Sequence, residues 1–226
     1  MTLSAKKKQF VQRVVNVFET GIPEGKYDAL VVMPDGANES RQITYGRSQT
    51  TEQGNLKQLL RMYVDAGGRF ATSVASFLSQ VGSEPLADNE VFKRLLRRAA
   101  REDPIMRETQ DAFFDKAYWV PAENWFGTNG FSLPLSMLVT YDSYIHSGHI
   151  PMFLRKRFIE MPPAKGGNEK KWVSSYVEAR HQWLKHHTRE LLRKTVYRTQ
   201  LVLDEIGRKN WNLATLPIVA NGIEVT

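Results

Sequence analysis

Apolar residues recur at helical spacing along most of this chain, and near the N-terminus the spacing changes to that of strands. Over residues 6–18, Phe10, Val14 and Val17 share one helical face with Val11, Val15 and Phe18 beside them, and the pattern stops at Glu19. Gly21, Pro23 and Gly25 break the helix there. Residues 27–33 are apolar and β-branched, Pro34-Asp35-Gly36 reads as a turn, and residues 42–45 as the returning strand, so a small hairpin is expected. Helices are expected over 55–66, where Leu56, Leu59, Leu60 and Tyr63 form the stripe, and over 70–81 and 89–101. Asp103-Pro104 opens another, because proline suits a first helical turn, and this helix should run to Trp119. Residues 133–146 are apolar nearly all round and read as a buried central helix. After a Pro- and Gly-rich loop at 161–167, the spacing predicts two last long helices over 169–187 and 189–206. The expected fold is mainly α with one small N-terminal β-hairpin.

Composition narrows the class. The chain has 226 residues, enough for one large domain or two small lobes sharing a cleft. No apolar run approaches the roughly 20 residues of a membrane span, so no membrane partner is expected. The basic start, MTLSAKKKQF, lacks the apolar core of a secretory signal. No signal peptide is visible, so the protein stays inside, leaves by a signal-independent route, or is a trimmed form of a secreted or exported one. Cysteine is absent, which excludes disulfides, thiol chemistry and cysteine-based zinc sites. The net charge of +7 favours polyanions such as nucleic acid or an anionic cell wall. Basic residues crowd 93–107, 155–171 and 185–198, but acids such as Glu102, Asp103, Glu169 and Glu178 interrupt them, and no nucleic-acid-binding signature accompanies them. A solvated face is the expected reading and no nucleic-acid partner is expected.

The candidate chemistry lies between residues 10 and 55. Glu19 ends a helix and Asp35 sits on a hairpin turn, with Thr44 on the returning strand. Cleaving a glycosidic bond needs an acid to protonate the leaving oxygen and a carboxylate on the other face of the sugar, and divergent elements can hold two such groups. Other chemistries lack support. His146 and His149 stand three apart and His186-His187 are adjacent, but no carboxylate spacing completes a metal site, so no metal or other cofactor is expected. No Gly-x-Ser-x-Gly elbow is present for a serine nucleophile. Tyr118, Trp119, Trp125 and Phe126 form an aromatic group that stacks sugar rings or, more often in proteins, packs a helix junction.

The stretches VFETG to QITYG, LVTYDSYIHSG and AKGGNEKKWVSSYVEARHQWL, in that order along the chain, together resemble glycoside hydrolase family 46, the chitosanases of the lysozyme-like superfamily. The segment VFETG to QITYG is similar to that family's catalytic Glu, its turn Asp and its Tyr-Thr-Gly strand. LVTYDSYIHSG resembles its Tyr-Tyr-Asp segment ending in His-Gly, and AKGGNEKKWVSSYVEARHQWL its Gly-Gly-Asp-Glu turn and the helix with Asp-Ala-Arg. The resemblance implies a two-lobed lysozyme-like α+β fold, a single catalytic domain over 1–226 with its lobes around a substrate cleft. It implies an endo-acting, inverting hydrolase of a β-1,4-linked amino-sugar polymer, with Glu19 as general acid, Asp35 as general base and Thr44 holding the water. Asp142 and Arg180 match a buried ion-pair network that supports the acid, and Arg193 is matched to its second arginine. Tyr45 and Asn55 are matched to substrate-contacting positions. A polysaccharide substrate and a monomer are the implied partners and state.

The chain departs from the family pattern in ways that bear on substrate. Val31 stands where an acid four residues before the catalytic Asp is typical, Asn55 stands where the family has an Asp, and the turn is lengthened by Ala37, Asn38, Glu39 and Ser40. Fewer acids and a basic surface suit a less cationic polymer, which makes peptidoglycan the alternative to chitosan. A polysaccharide or cell-wall binding module that kept the fold without the activity is the reading from another class.

Overall fold

The computed structural model describes residues 3–47 and 49–226. The chain divides into two compact units: one comprises the chain up to Glu24 together with Lys116–Thr226, the other Gly25–Asp115. In chain order the first unit opens with α1 (Ala5–Thr20). The second unit holds β1 (Leu30–Met33), β2 (Gln42–Tyr45), β3 (Thr50–Thr51), α2 (Leu56–Asp65), α3 (Ala71–Ala75), α4 (Glu90–Glu102) and α5 (Pro104–Phe114). The first unit then resumes with α6 (Val120–Thr128), α7 (Pro134–Ser147), α8 (Met152–Arg155), α9 (Glu169–Lys185), α10 (Glu190–Arg193), α11 (Tyr197–Gly207), β4 (Ile218–Ala220) and β5 (Ile223–Val225). The fold is mainly helical with small antiparallel sheets. No described helix is long and apolar enough to cross a membrane.

The first unit is built on α7. Its residues Leu135–Ser143 are buried without interruption, and it packs against α1, α6, α9 and α11. A helix buried on all sides must settle its own polar groups. Thr140 and Ser143 do so by donating to the carbonyls of Ser136 and Val139 one turn back. Pro134 starts the helix at a position whose N–H has no partner within the helix, and Gly148, at φ 75°, ends it. α1 contributes Val11, Val14, Val15 and Phe18 to this core. Trp119 and Phe126 are buried and Trp125 stacks on Phe131, so these aromatic side chains pack where the chain re-enters this unit.

In the second unit the three strands form one antiparallel sheet in the order β1-β2-β3, with Leu30 opposite Tyr45 and Met33 opposite Gln42. Strand alternation gives β2 two faces. Ile43 and Tyr45 are fully buried, and the Tyr45 hydroxyl donates to the Leu96 carbonyl of α4. Gln42 and Thr44 point to the other face. Glu52 locks the sheet, accepting from the Ile43 and Leu86 amides. Asp103 caps α5 through the Ile105 amide and also accepts from the Tyr63 hydroxyl and the Arg69 amide.

Several expectations are corrected. The helix expected over 103–119 closes at Phe114 and passes through a π-helical turn, Asp115–Trp119, into a further helix, α6. The helix expected over 70–81 is regular only to Ala75. The helix expected over 189–206 is two helices, α10 and α11, separated by residues 194–196. The C-terminal hairpin of β4 and β5 was also missed, although its signal is present. Asn221 and Gly222 both have positive φ, 46° and 82°, the backbone that a two-residue hairpin turn of the Asn-Gly type requires.

Candidate active site

Glu19 stands in the last turn of α1, one residue before the end of the helix, and Gly21 closes that helix in the left-handed region at φ 77°. Its side chain is only 9% exposed, and Oε1 accepts from Nη2 of Arg198 at 2.5 Å. The other terminal nitrogen of Arg198 donates to Asp142 Oδ1 at 2.7 Å. Asp142 Oδ2 accepts from Arg180 at 2.6 Å. The same Arg180 nitrogen reaches Ser143 Oγ at 3.4 Å, and Ser143 meets the Tyr176 hydroxyl at 3.0 Å. A continuous chain, Arg180–Asp142–Arg198–Glu19, therefore runs through the interior of the first unit across α9, α7, α11 and α1.

Two guanidiniums on one carboxylate settle the charge. Burial pushes the Asp142 carboxyl up, but Arg180 and Arg198 outweigh it and hold it at about 2. Burial works against the charge of Arg198 as well, and Glu19 and Asp142 overcome it, keeping the guanidinium above its ordinary range. The Arg198 guanidinium also lies 5.3 Å from the centre of the Phe18 ring. His146, one turn along α7 from Asp142, is held down at about 3 by burial, with Arg180 and Arg198 adding to it. The imidazole is therefore neutral under ordinary conditions and adds no charge to the network.

The second arginine of this network is Arg198, and the assignment of Arg193 is corrected. Arg193 ends the short helix α10 and donates to the carbonyls of His187 and Thr188 at 2.7 and 2.8 Å. The interruption at residues 194–196 resets the helical phase, so Arg198 rather than Arg193 faces inward. A signal existed in the sequence: Arg198, Leu201, Val202 and Glu205 are spaced as one helical face, and all four are buried. Arg198→Ala should therefore lower the melting temperature by several degrees and strip Asp142 of one of its partners, whereas Arg193→Ala should melt close to the wild type. Equal melting temperatures for the two variants would contradict this placement.

Asp35, Thr44, Tyr45 and Asn55 belong to the second unit. Asp35 Oδ1 accepts from Gln42 Nε2 at 3.0 Å. Thr44 Oγ1 is buried with no protein hydrogen-bond partner. Tyr45, expected to contact substrate, is instead a core residue facing away from Thr44, with its hydroxyl engaged by Leu96. Asn55 is exposed just ahead of α2. Val31 pairs with Thr44 across the sheet, on the same face, and is 46% exposed. Among the described residues no three His, Asp or Glu side chains gather where a metal ion would be held.

A helix-end carboxylate is thus clamped by a buried guanidinium in the first unit, and a second carboxylate accepts from Gln42 in the second. The chain belongs to glycosyl hydrolase family 46, whose profile matches residues 27–218, and is thus a glycoside hydrolase. Native chitosanase from Bacillus subtilis MY002 has the same fold, with a TM-score of 0.82 at 21% identity over 100% of both chains. A family 46 chitosanase from Gynuella sunshinyii, solved with chitotetraose, matches with a TM-score of 0.81 at 21% identity over 99% of this chain and 98% of that one. No curated protein sequence matches the chain.

Proposed function

We propose that this glycoside hydrolase cleaves chitosan or a closely related β-1,4-linked amino-sugar polymer from within, with inversion at the anomeric carbon. Glu19 is the general acid that protonates the leaving oxygen. Asp35 is the general base that activates water, and the Thr44 hydroxyl helps hold that water. Asp142, Arg180 and Arg198 keep the Glu19 carboxyl in position. The observation that carries this reading is the buried Arg180–Asp142–Arg198–Glu19 chain in a member of family 46. A surface glutamate at a helix end has no need of three buried charges behind it. An acid that must meet a glycosidic oxygen in one orientation does, because misplacing a reacting group by about 1 Å can cost on the order of 10²-fold in rate. Relatives of the same fold crystallised with chitotetraose and with 6 GlcN support the choice of amino-sugar.

A second reading, peptidoglycan hydrolysis, draws on one observation. The sheet face that carries Thr44 presents apolar Val31 rather than an acid, so it offers less negative charge to a polycation. Release of reducing ends from chitosan, peptidoglycan and a neutral β-glucan separates the two. Chitosan should be cleaved fastest, with a rapid loss of viscosity, and NMR of the first product should show the α-anomer. Cleavage of peptidoglycan alone would move the assignment to a muramidase. No cleavage of any of the three would leave only a binding role.

A further inference from the structure

Gln42 is a buried polar group that the proposed mechanism leaves unused. This side chain is 5% exposed, lies on the same face of β2 as Thr44, and spans two partners. Its Nε2 donates to Asp35 Oδ1 at 3.0 Å, and its Oε1 accepts from the backbone N–H of Gln53 at 3.0 Å. A backbone N–H can only donate, so it fixes which way the amide points: oxygen to Gln53, nitrogen to Asp35. Gln42 therefore meets Asp35 as a donor only.

Gln53 is itself braced. Its side-chain oxygen accepts from the Ala37 amide at 2.7 Å, and its nitrogen donates to Ser40 Oγ at 2.8 Å. The lengthened turn after Asp35 is thereby tied to the turn after β3, whose Gln53 N–H orients Gln42. Gly36 is required by this packing, since a Cβ there would come within 2.7 Å of Gln53 Nε2 and 2.6 Å of Ser40 Oγ. Two charged neighbours in the chain are engaged elsewhere: Arg41 pairs with Asp88, and Glu52 accepts from the Ile43 and Leu86 amides; Glu39 is the other charged residue of the turn.

We propose that Gln42 is a positioning residue for the reaction, a fixed donor that aims the Asp35 side chain and is locked in place by Gln53. The inference rests on Asp35 as the general base, so the experiment carries a separate control for that role.

Gln42→Glu is the informative variant. It keeps the oxygen that receives the Gln53 N–H, and replaces the nitrogen facing Asp35 with a second negative oxygen. Setting two carboxylates against each other should move the acidic limb of the kcat/KM profile on chitosan upward by about one pH unit. Gln42→Leu, which removes the donor and keeps the bulk, should lower kcat by about tenfold or more while KM stays within about twofold. Melting curves establish that each variant is folded, and Gln42→Glu still decides the matter if Gln42→Leu is not. Asp35→Asn is the control. If it is inactive and the Gln42→Glu profile superimposes on the wild type, Gln42 does not position the base and the proposal is overturned. If Asp35→Asn keeps more than about a tenth of wild-type turnover, the base assignment itself fails.

Discussion

Replacing Glu19 by Gln is expected to abolish nearly all hydrolysis while leaving the fold intact. The amide has the shape of the acid, and its oxygen can still accept from Arg198 at the 2.5 Å contact seen for Oε1. The first unit also keeps its Asp142–Arg180 and Asp142–Arg198 pairs, which do not involve Glu19. What the amide lacks is a proton that it can deliver to a leaving oxygen. General acid catalysis by a positioned group is worth roughly 10²–10⁴-fold, and turnover on chitosan should fall by that order. The melting temperature should change by only a few degrees. A folded variant with more than about a tenth of wild-type activity would remove Glu19 from the role of acid.

Asp142→Ala should do more, because it damages stability and activity together. The substitution leaves Arg180 and Arg198 buried with their shared counter-charge gone, and Nη2 of Arg180 and the Nε atoms of both arginines already have no protein partner. Removing one member of a buried pair typically costs about 3–5 kcal/mol. Turnover should drop as well, since Arg198 holds Glu19 with the hand opposite to the one that holds Asp142. The sign of the pH dependence follows from the depressed carboxyl. The two guanidiniums hold the Asp142 carboxyl at about 2 in the folded protein, below the ordinary carboxylate value of about 3.9 in the unfolded chain. Its stabilisation is therefore complete above about pH 4 and is lost as the pH falls toward 2. The wild type should lose part of its advantage over Asp142→Ala across that window, measured as the difference between their unfolding free energies. A variant that melts and turns over like the wild type would mean that the network supports nothing.

Much of the architecture was legible along the chain because it depends on local repetition. The stripes of α1 and α2, the proline openings of α5 and α7, and the β-branched residues before the turn at Asp35 each express a period or a cap within a few residues of one another. Asp142 stood out for the same reason: one acid on a helix that is apolar all round needs a counter-charge. The places where the local reading failed are places where a short break resets the geometry. Residues 194–196 interrupt what the spacing presents as one helix, and with them the inward arginine changes from Arg193 to Arg198. Tyr45 is the neighbour of Thr44 on β2, yet in a strand adjacent residues face opposite ways, and the hydroxyl of Tyr45 ends on Leu96.

The sequence by itself determined the helical class, the small N-terminal sheet, the residue types offered for chemistry and the membership of family 46 that its profile match records. Only the tertiary structure decided which side chains meet. The Arg198 bridge joins residues 179 and 56 positions apart in the chain. Gln42 acquires its direction from a backbone N–H eleven residues away. Hydrogen bonds and ion pairs depend on atoms placed to a few tenths of an ångström, and no periodicity in one segment carries the position of another. That placement comes from packing α1, α7, α9 and α11 around one core, and from the pairing register of β1 with β2.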